Sequence, residues 1–275
     1  MGAASFTGLL FLGCGPLATV FVLCLASKSF LVLLALGSAF YWLCTLLLIS
    51  ALFRAWAPLE PSPGPYVGLL LVAVLIQELA RVGIWRFHLL SCRVLNRIAQ
   101  EQRDAPLSVA DRFGLALAYG FSHGAVHSAF FFAAWLPLAL GDGTIYSAAC
   151  PQLSFYTVGA LSTLGMAALL TGGMVLWLDG LERRDAKQAA LAPATHLAAA
   201  LLTLANFAND GCLATVPLLL AGGAAVAAAA GRRWWQRTTT VPRLAAGLGS
   251  RQSQGVEVAP SSSAGDPDAA LDRGR

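Results

Sequence analysis

The chain has 275 residues, of which 57% are hydrophobic and only 12% are charged, and its mean hydropathy is +0.68. A soluble domain usually carries roughly twice that charged fraction, so the composition argues against an ordinary water-soluble protein. The net charge of +4 has no accompanying aromatic-basic pattern, so nucleic acid is not an expected partner.

Apolar segments of roughly 20 residues recur along the chain, which predicts an all-α polytopic membrane protein with seven transmembrane helices. Continuous runs rich in Leu and Ala favour helices over the alternating strands of a barrel. The first run lacks the positive charge of a signal peptide and is expected to be retained. In chain order, the predicted spans are 4–25, 30–53, 66–86, 113–136, 153–178, 189–207 and 213–231.

The basic residues are divided unequally between the two sets of predicted loops. One set carries 16 of the 18 Lys and Arg residues, the other carries only Arg54, and Arg81 lies inside the third span. The positive-inside rule then places the N-terminus outside or in the lumen, and the C-terminus in the cytosol. From about residue 238 the composition changes to Ser, Gly, Asp, Pro and Arg, which predicts a membrane domain over 1–236 and a disordered cytosolic tail over 237–275.

The third predicted span contains ionisable residues, which are costly in a membrane and normally face the protein interior. Glu78 and Arg81 lie three residues apart and can pair on one helix face, with Gln77 beside them. A clasp between helices is the preferred interpretation, and a proton or ion path is the alternative. His88 is placed in the loop that follows this span.

The fourth predicted span carries small residues at every fourth position, namely Gly120, Gly124 and Ser128. Such a groove lets a neighbouring helix approach closely in lipid, where dispersion contacts hold helices together. We therefore predict a helix-packing or partner-binding surface. The spacing does not determine whether the neighbouring helix belongs to this chain or to another.

Histidines on two spans raise the question of a metal site. His123 and His127 share a face of the fourth span, and His196 lies in the sixth. Three histidines could bind zinc, which would suit a seven-span hydrolase of the ceramidase-like kind, but there is no HExxH motif. Hydrogen-bonded lining of a buried polar region is the preferred interpretation.

Other catalytic constellations are missing from the sequence. There is no GxSxG motif and no pair of aspartates deep in the spans, so we expect no catalytic residue, no metal and no cofactor. A seven-helix receptor is a third possibility, although no Asp-Arg-Tyr-like signal ends the third span. Cys150 and Cys212 lie in predicted outside loops where a disulfide is permitted, and free thiols are slightly preferred.

Several motifs occur together in a characteristic order between Met1 and about Trp235. They include the opening MGAASFTGLLFLGCGPL, then LIQELAR, the small-residue motif of the fourth span, CPQLSFYTVGAL, LDGLERRDA, and His196 followed ten residues later by Asn206. In order and spacing, these motifs resemble the anterior-pharynx-defective family, the multi-spanning subunit of gamma-secretase. The resemblance extends over nearly the whole predicted membrane domain.

The resemblance implies a non-catalytic scaffold in an intramembrane protease complex. Its expected partners are nicastrin, then presenilin, which would supply the catalytic aspartates, and the small presenilin enhancer, in addition to membrane lipid. The implied locations are the endoplasmic reticulum, the Golgi and the plasma and endosomal membranes. The residues expected to form buried polar contacts are Gln77, Glu78, Arg81, His123, His127, His196 and Asn206.

Two departures from the family pattern lead to a further expectation. Ser128 stands where the third glycine of the motif is expected, and Leu170 stands where the family has a histidine in the fifth span. An unpaired buried imidazole costs roughly 1–3 kcal/mol. We therefore predict that His123, or less favourably His127, lies near His196 and supplies the missing polar contact. The alternative is that both histidines face a partner chain or a lipid head group.

Overall fold

The computed structural model describes residues 2–57, 63–141 and 145–254, and in these the chain is almost entirely helical. The helices are α1 (Ala3–Val20), α2 (Ser29–Trp56), α3 (Pro63–Glu101), α4 (Val109–Ser128), α5 (Phe155–Glu182), α6 (Ala186–Leu202) and α7 (Gly211–Gln254). Short π-helical turns follow α1 (Phe21–Leu25) and α4 (Ala129–Ala133), and 3₁₀ turns lie at Leu136–Leu140 and Thr203–Phe207. The predicted all-α polytopic fold is confirmed.

Six of the helices in the described residues are long and apolar enough to cross a membrane, and α4 is the long helix that is not among them. The first turn of α4 contains Asp111 and Arg112, and its later turns contain two histidines, which makes it less apolar than the others. The prediction of seven crossings therefore depends on α4 as the seventh, and the orientation of the chain stays a prediction.

The fifth helix is the centre of the bundle. Of its most apolar 18-residue window, 72% is buried, whereas the corresponding value for α1 is 17%. It lies against α4, α6 and α1. Because burial inside protein replaces contact with lipid, α5 can carry small residues where the outer helices carry Leu and Phe.

Two helices extend further than the predicted spans. The third helix continues to Glu101, so His88 lies within a helix, in the segment predicted as the beginning of the cytosolic loop. The seventh helix continues to Gln254, although disorder was predicted from 237. Residues 255–275 lie outside the described residues, and a disordered tail stays a prediction there.

Short polar side chains cap the beginnings of α4, α5 and α6. The hydroxyl of Ser108 accepts a hydrogen bond from the amide of Asp111, whose carboxylate accepts one from the amide of Ser108. This reciprocal capping box satisfies two of the free amides at the beginning of α4. Ser154 caps α5 and Asp185 caps α6 with one bond each, accepting from an amide three residues ahead.

A small hairpin precedes α5, which the sequence did not predict. Strand β1 (Tyr146–Ser147) pairs antiparallel with β2 (Cys150–Ser154). A disulfide joins Cys150 to Cys212 in the first turn of α7, with the Cα atoms 6.0 Å apart. The preference for free thiols at these two positions was therefore wrong, and the hairpin is covalently attached to the beginning of α7.

Candidate functional site: a buried polar network and its cavity

An ion pair within α3 forms the centre of the polar network. The guanidinium Nη1 of Arg81 donates to Oε2 of Glu78 at 2.6 Å, so the predicted pairing is present. The side chain of Arg81 is only 1% exposed. A charge buried this deeply requires a partner, because a buried unpaired charge costs several kcal/mol.

The same carboxylate joins α3 to α6. Oε1 of Glu78 lies 2.8 Å from Nδ1 of His196, which is 2% exposed. In this contact the imidazole N–H donates to the carboxylate. Glu78 therefore binds Arg81 with one oxygen and His196 with the other, which is the predicted clasp between helices.

His123 extends the network to α2 and α4. Its ring stacks on the indole of Trp42 with centroids 3.6 Å apart, and its Nε2 lies 3.3 Å from Oε1 of Gln77. The centroids of the His123 and His196 rings are 6.0 Å apart, so the predicted proximity of these two histidines is present. They are not hydrogen-bonded to each other; His196 binds Glu78, and His123 binds Gln77.

Two of the predicted polar residues lie outside this network. His127 packs against Phe131 with ring centroids 4.5 Å apart, and its Nδ1 is buried without a hydrogen-bond partner among the described residues. Asn206 lies in the 3₁₀ turn after α6, and its Oδ1 is also buried without such a partner. Leu170, at the position where the family pattern has histidine, is fully buried in the apolar core.

The small-residue groove of α4 is filled by α5 of the same chain. A Cβ atom added at Gly120 would collide with the carbonyl oxygen of Thr171, and one at Gly124 would lie 2.9 Å from the carbonyl oxygen of Ala167. The hydroxyl of Thr171 donates to the carbonyl of Gly120 at 3.2 Å. Ser128 is buried and donates to the carbonyl of Gly124. These residues therefore pack helices within the chain, and partner contact at this groove stays a prediction.

The opposite side of α5 uses glycine in the same way, which sequence reasoning missed. A Cβ atom at Gly165 would lie 2.7 Å from the carbonyl oxygen of Leu219, and one at Gly172 would lie 3.1 Å from the Cα of Ala227. Gly223 lies against the backbone of Gly165. The seven-residue spacing of Gly165 and Gly172 puts both on one helix face, and could have predicted a close helix contact there without identifying α7 as the neighbour.

A second group of polar contacts lies further along α3, and the sequence predicted none of it. Nε2 of His88 lies 2.9 Å from Oε1 of Glu182 at the end of α5. The hydroxyl of Tyr119 donates to Oγ of Ser91 at 3.0 Å. These contacts attach the second half of α3 to α4 and α5. The network around Glu78 connects the first half of α3 to α6.

A cavity of about 820 Å³ lies beside the polar network. Its lining comes from α2, α3, α5, α6, α7 and the end of α4, and includes three polar residues of the predicted set, namely Gln77, His127 and His196. Most of the other lining residues are apolar or aromatic. The cavity is therefore a mainly hydrophobic chamber with a few hydrogen-bonding groups.

The contacts of the network bear on the metal-hydrolase alternative. No group of three His, Cys, Asp or Glu side chains in the described ranges is arranged to hold a metal ion. One nitrogen of His123 and one of His196 are already used by Gln77 and Glu78. His123 and His196 are therefore better suited to joining helices than to coordinating a zinc ion.

Fold and site together define a polytopic helical membrane protein whose buried polar residues bind each other across helices. The chain matches the family model described as Aph-1 protein over residues 4–237, and it belongs to that family. This confirms the resemblance identified from the sequence motifs.

Relatives in several organisms carry the name of a gamma-secretase subunit. The gamma-secretase subunit APH1-like of Arabidopsis thaliana is 33% identical over 220 residues, which cover 80% of this chain and 88% of the relative. Gamma-secretase subunit APH-1B of Homo sapiens is 27% identical over 204 residues, which cover 72% of this chain and 77% of the relative. Gamma-secretase subunit Aph-1 of Drosophila melanogaster is 28% identical over 220 residues, covering 80% and 87%.

Proposed function

We propose that this chain is a non-catalytic scaffold subunit of a gamma-secretase-like complex, in which it supports presenilin-dependent proteolysis of membrane proteins. Membership of the Aph-1 family is the main support for the proposal. The relatives that this chain matches over most of their length are named gamma-secretase subunits. The partners we propose are presenilin, nicastrin and the presenilin enhancer, in membranes of the endoplasmic reticulum, Golgi, plasma membrane and endosomes.

The interior of the bundle supports a scaffold role. Glu78 and Arg81, the ionisable pair within α3, bind each other, and Glu78 also binds His196. Polar groups engaged in this way hold helices in place. Partner subunits would then contact the outer helices, whose large apolar side chains are exposed, as at Leu33 (68%) and Phe40 (69%) of α2.

Affinity purification in a mild detergent tests the proposal. The tagged chain should recover presenilin-like and nicastrin-like chains from its own membranes. Gly124→Leu should lower that recovery, because the leucine would displace α5. Gly68→Leu in α3 is the matched control, since nothing lies within 4 Å of a Cβ added there and the position is not on the exposed face of α2. Recovery of the chain without either partner would contradict the scaffold role.

The proposed orientation has an independent test. Because 16 of the 18 basic residues lie in one set of loops, we propose an outside or lumenal N-terminus and a cytosolic tail. Glycosylation sites introduced at the N-terminus or beside residue 142 should be modified, whereas one introduced in the tail should not. Modification of the tail site would contradict an odd number of crossings.

A further inference from the structure

The cavity beside the polar network is deeper than a surface depression. Its buried lining includes Gln77, which is 6% exposed, and His196, which is 2% exposed. Its exposed lining includes Phe131 and Trp135, which are 50% and 53% exposed and mark its opening. The chamber therefore runs from an aromatic opening to the polar residues in the interior of the bundle.

The polar lining has hydrogen-bonding capacity that the protein does not use. Nδ1 of His127 is buried and has no hydrogen-bond partner among the described residues. Gln77 uses its amide oxygen for His123, which leaves its NH₂ group as a donor. An unsatisfied polar group in such surroundings is costly, so this lining favours an occupant that can hydrogen-bond.

The charges around the chamber restrict the head group of that occupant. Glu78 is bound to His196 in the lining, and its charge is already balanced by Arg81. A carboxylate or phosphate placed beside these residues would be a buried anion without a cation to pair with. A hydroxyl group is neutral, and it both donates and accepts, so it suits a histidine nitrogen and a Gln77 amide together.

The walls and the volume restrict the body of the occupant. Small-molecule sites are typically about 300–1,000 Å³ and mostly apolar, with a few polar groups that determine orientation, and the volume of about 820 Å³ lies in this range. Phe53, Phe130 and Phe131 supply aromatic walls. We propose that the cavity binds a sterol-class membrane lipid, whose rigid apolar body lies against these walls and whose single hydroxyl group lies beside His127 and Gln77.

Photo-crosslinking in membranes that contain the full-length chain tests this site. The probe is a cholesterol analogue with a diazirine on the ring system and an alkyne on the side chain. We expect saturable labelling of the chain. Excess cholesterol should compete with the probe, and a sterol hydrocarbon without the hydroxyl group should compete poorly.

Two pairs of variants locate the labelling. Ala73→Phe fills the cavity from α3 and should abolish saturable labelling, whereas Leu79→Phe adds the same ring at a position on α3 that is 63% exposed and should leave it unchanged. His127→Phe should weaken labelling about two- to tenfold, the affinity effect of one neutral hydrogen bond. His127→Gln retains a hydrogen-bonding group and should weaken it less.

Each other outcome overturns the proposal. Equal competition by the hydrocarbon would show that the hydroxyl group is not recognised. Labelling that is unchanged in Ala73→Phe would place the sterol outside the cavity. A phosphatidylcholine photoprobe that labels the chain in an Ala73-dependent manner would identify a phospholipid as the occupant. Should Ala73→Phe fail to accumulate, the His127 pair and the competition experiment still decide.

Discussion

The α4–α5 contact and the polar network are both buried, but different interactions stabilise them. At the contact, Gly120 and Gly124 bring two helix backbones together with no space for a Cβ atom. In the network, long side chains such as Arg81 and His196 reach between helices and bind through charge and hydrogen bonds. Some polar atoms there, including Nε of Arg81 and Nδ1 of His123, have no hydrogen-bond partner within the described part of the chain. The contact is therefore sensitive to added volume, and the network is sensitive to the loss of a partner.

The largest expected effect comes from removing the cation of the network. Arg81→Met leaves the Glu78 carboxylate with His196 as its remaining partner in these contacts, and should lower the free energy of unfolding by roughly 3–5 kcal/mol. Equilibrium unfolding of the purified chain in mixed detergent micelles measures this. The double variant Arg81→Met, Glu78→Gln also removes the unpaired Glu78 carboxylate, and should recover much of the lost free energy of unfolding. A double variant as unstable as the single one would show that the two side chains are not coupled.

The next largest effect is expected at a glycine in the α4–α5 contact. Replacing a helical glycine with alanine usually stabilises a protein, but here it should destabilise it. Gly120→Ala should lower the free energy of unfolding by about 1–3 kcal/mol, because the new methyl group collides with the carbonyl of Thr171. Gly37→Ala has open space and should raise it by up to about 1 kcal/mol, as expected for an exposed helical glycine. The same unfolding experiment compares the two. Equal changes at both positions would argue against close packing of α4 on α5.

Two variants of His123, with smaller expected effects, distinguish the contribution of ring stacking from that of the hydrogen bond. His123→Phe keeps an aromatic ring on Trp42 but leaves the amide oxygen of Gln77 without its donor, which should cost about 0.5–1.5 kcal/mol. His123→Leu also loses the stacked ring, and should cost about 0.5–1.5 kcal/mol more. The unfolding free energies of the two variants measure this difference. Identical values would mean that the stacking does not contribute.

The smallest effect concerns an exposed charge pair, which contrasts with the buried pair of the network. Nζ of Lys28 lies 2.7 Å from Oδ1 of Asp111, with side-chain exposures of 47% and 27%. Hydrogen bonds from Lys28, and then from Ser108, lower the pKa of Asp111. Because exposed pairs contribute about 0.2–1 kcal/mol, Asp111→Asn should cost no more than that at pH 7.

The pH dependence of this small effect follows from the direction of the pKa shift. A lowered pKa in the folded state stabilises the protein above the unfolded pKa of about 3.9, and this stabilisation is lost as the pH falls through the folded pKa. The difference between the parent chain and Asp111→Asn should therefore disappear in strong acid, and should shrink in high salt at pH 7. Lys28→Met should behave similarly. A difference that persists in acid would show that the carboxylate charge is not its cause.

Local spacing predicted some of the buried contacts correctly. Glu78 and Arg81 are three residues apart on one helix, so their pairing follows from helix geometry alone. The small residues of α4 also predicted close packing, since only a groove without side chains lets two backbones meet. Neither pattern identified its partner across the bundle, because the contact between Glu78 and His196 joins residues 118 positions apart.

Other features depended on information that spacing does not contain. The stacking of His123 on Trp42 joins two helices whose relative rotation the sequence does not specify. The disulfide between Cys150 and Cys212 requires the hairpin and the beginning of α7 to lie together, which no local pattern indicated. His127 and Asn206 were predicted with the rest of the polar set, yet side-chain direction leaves both outside the hydrogen-bonded network.

The sequence by itself determined the all-α membrane architecture, because a bilayer requires long apolar segments that satisfy their own backbone hydrogen bonds. It also determined family membership, through motifs spread along most of the chain. Only the tertiary structure decided that α5 fills the groove of α4, that Glu78 joins Arg81 to His196, and that a cavity lies beside them. These features depend on how helices rotate and approach each other, and many weak packing contacts distributed over the whole bundle set that arrangement together.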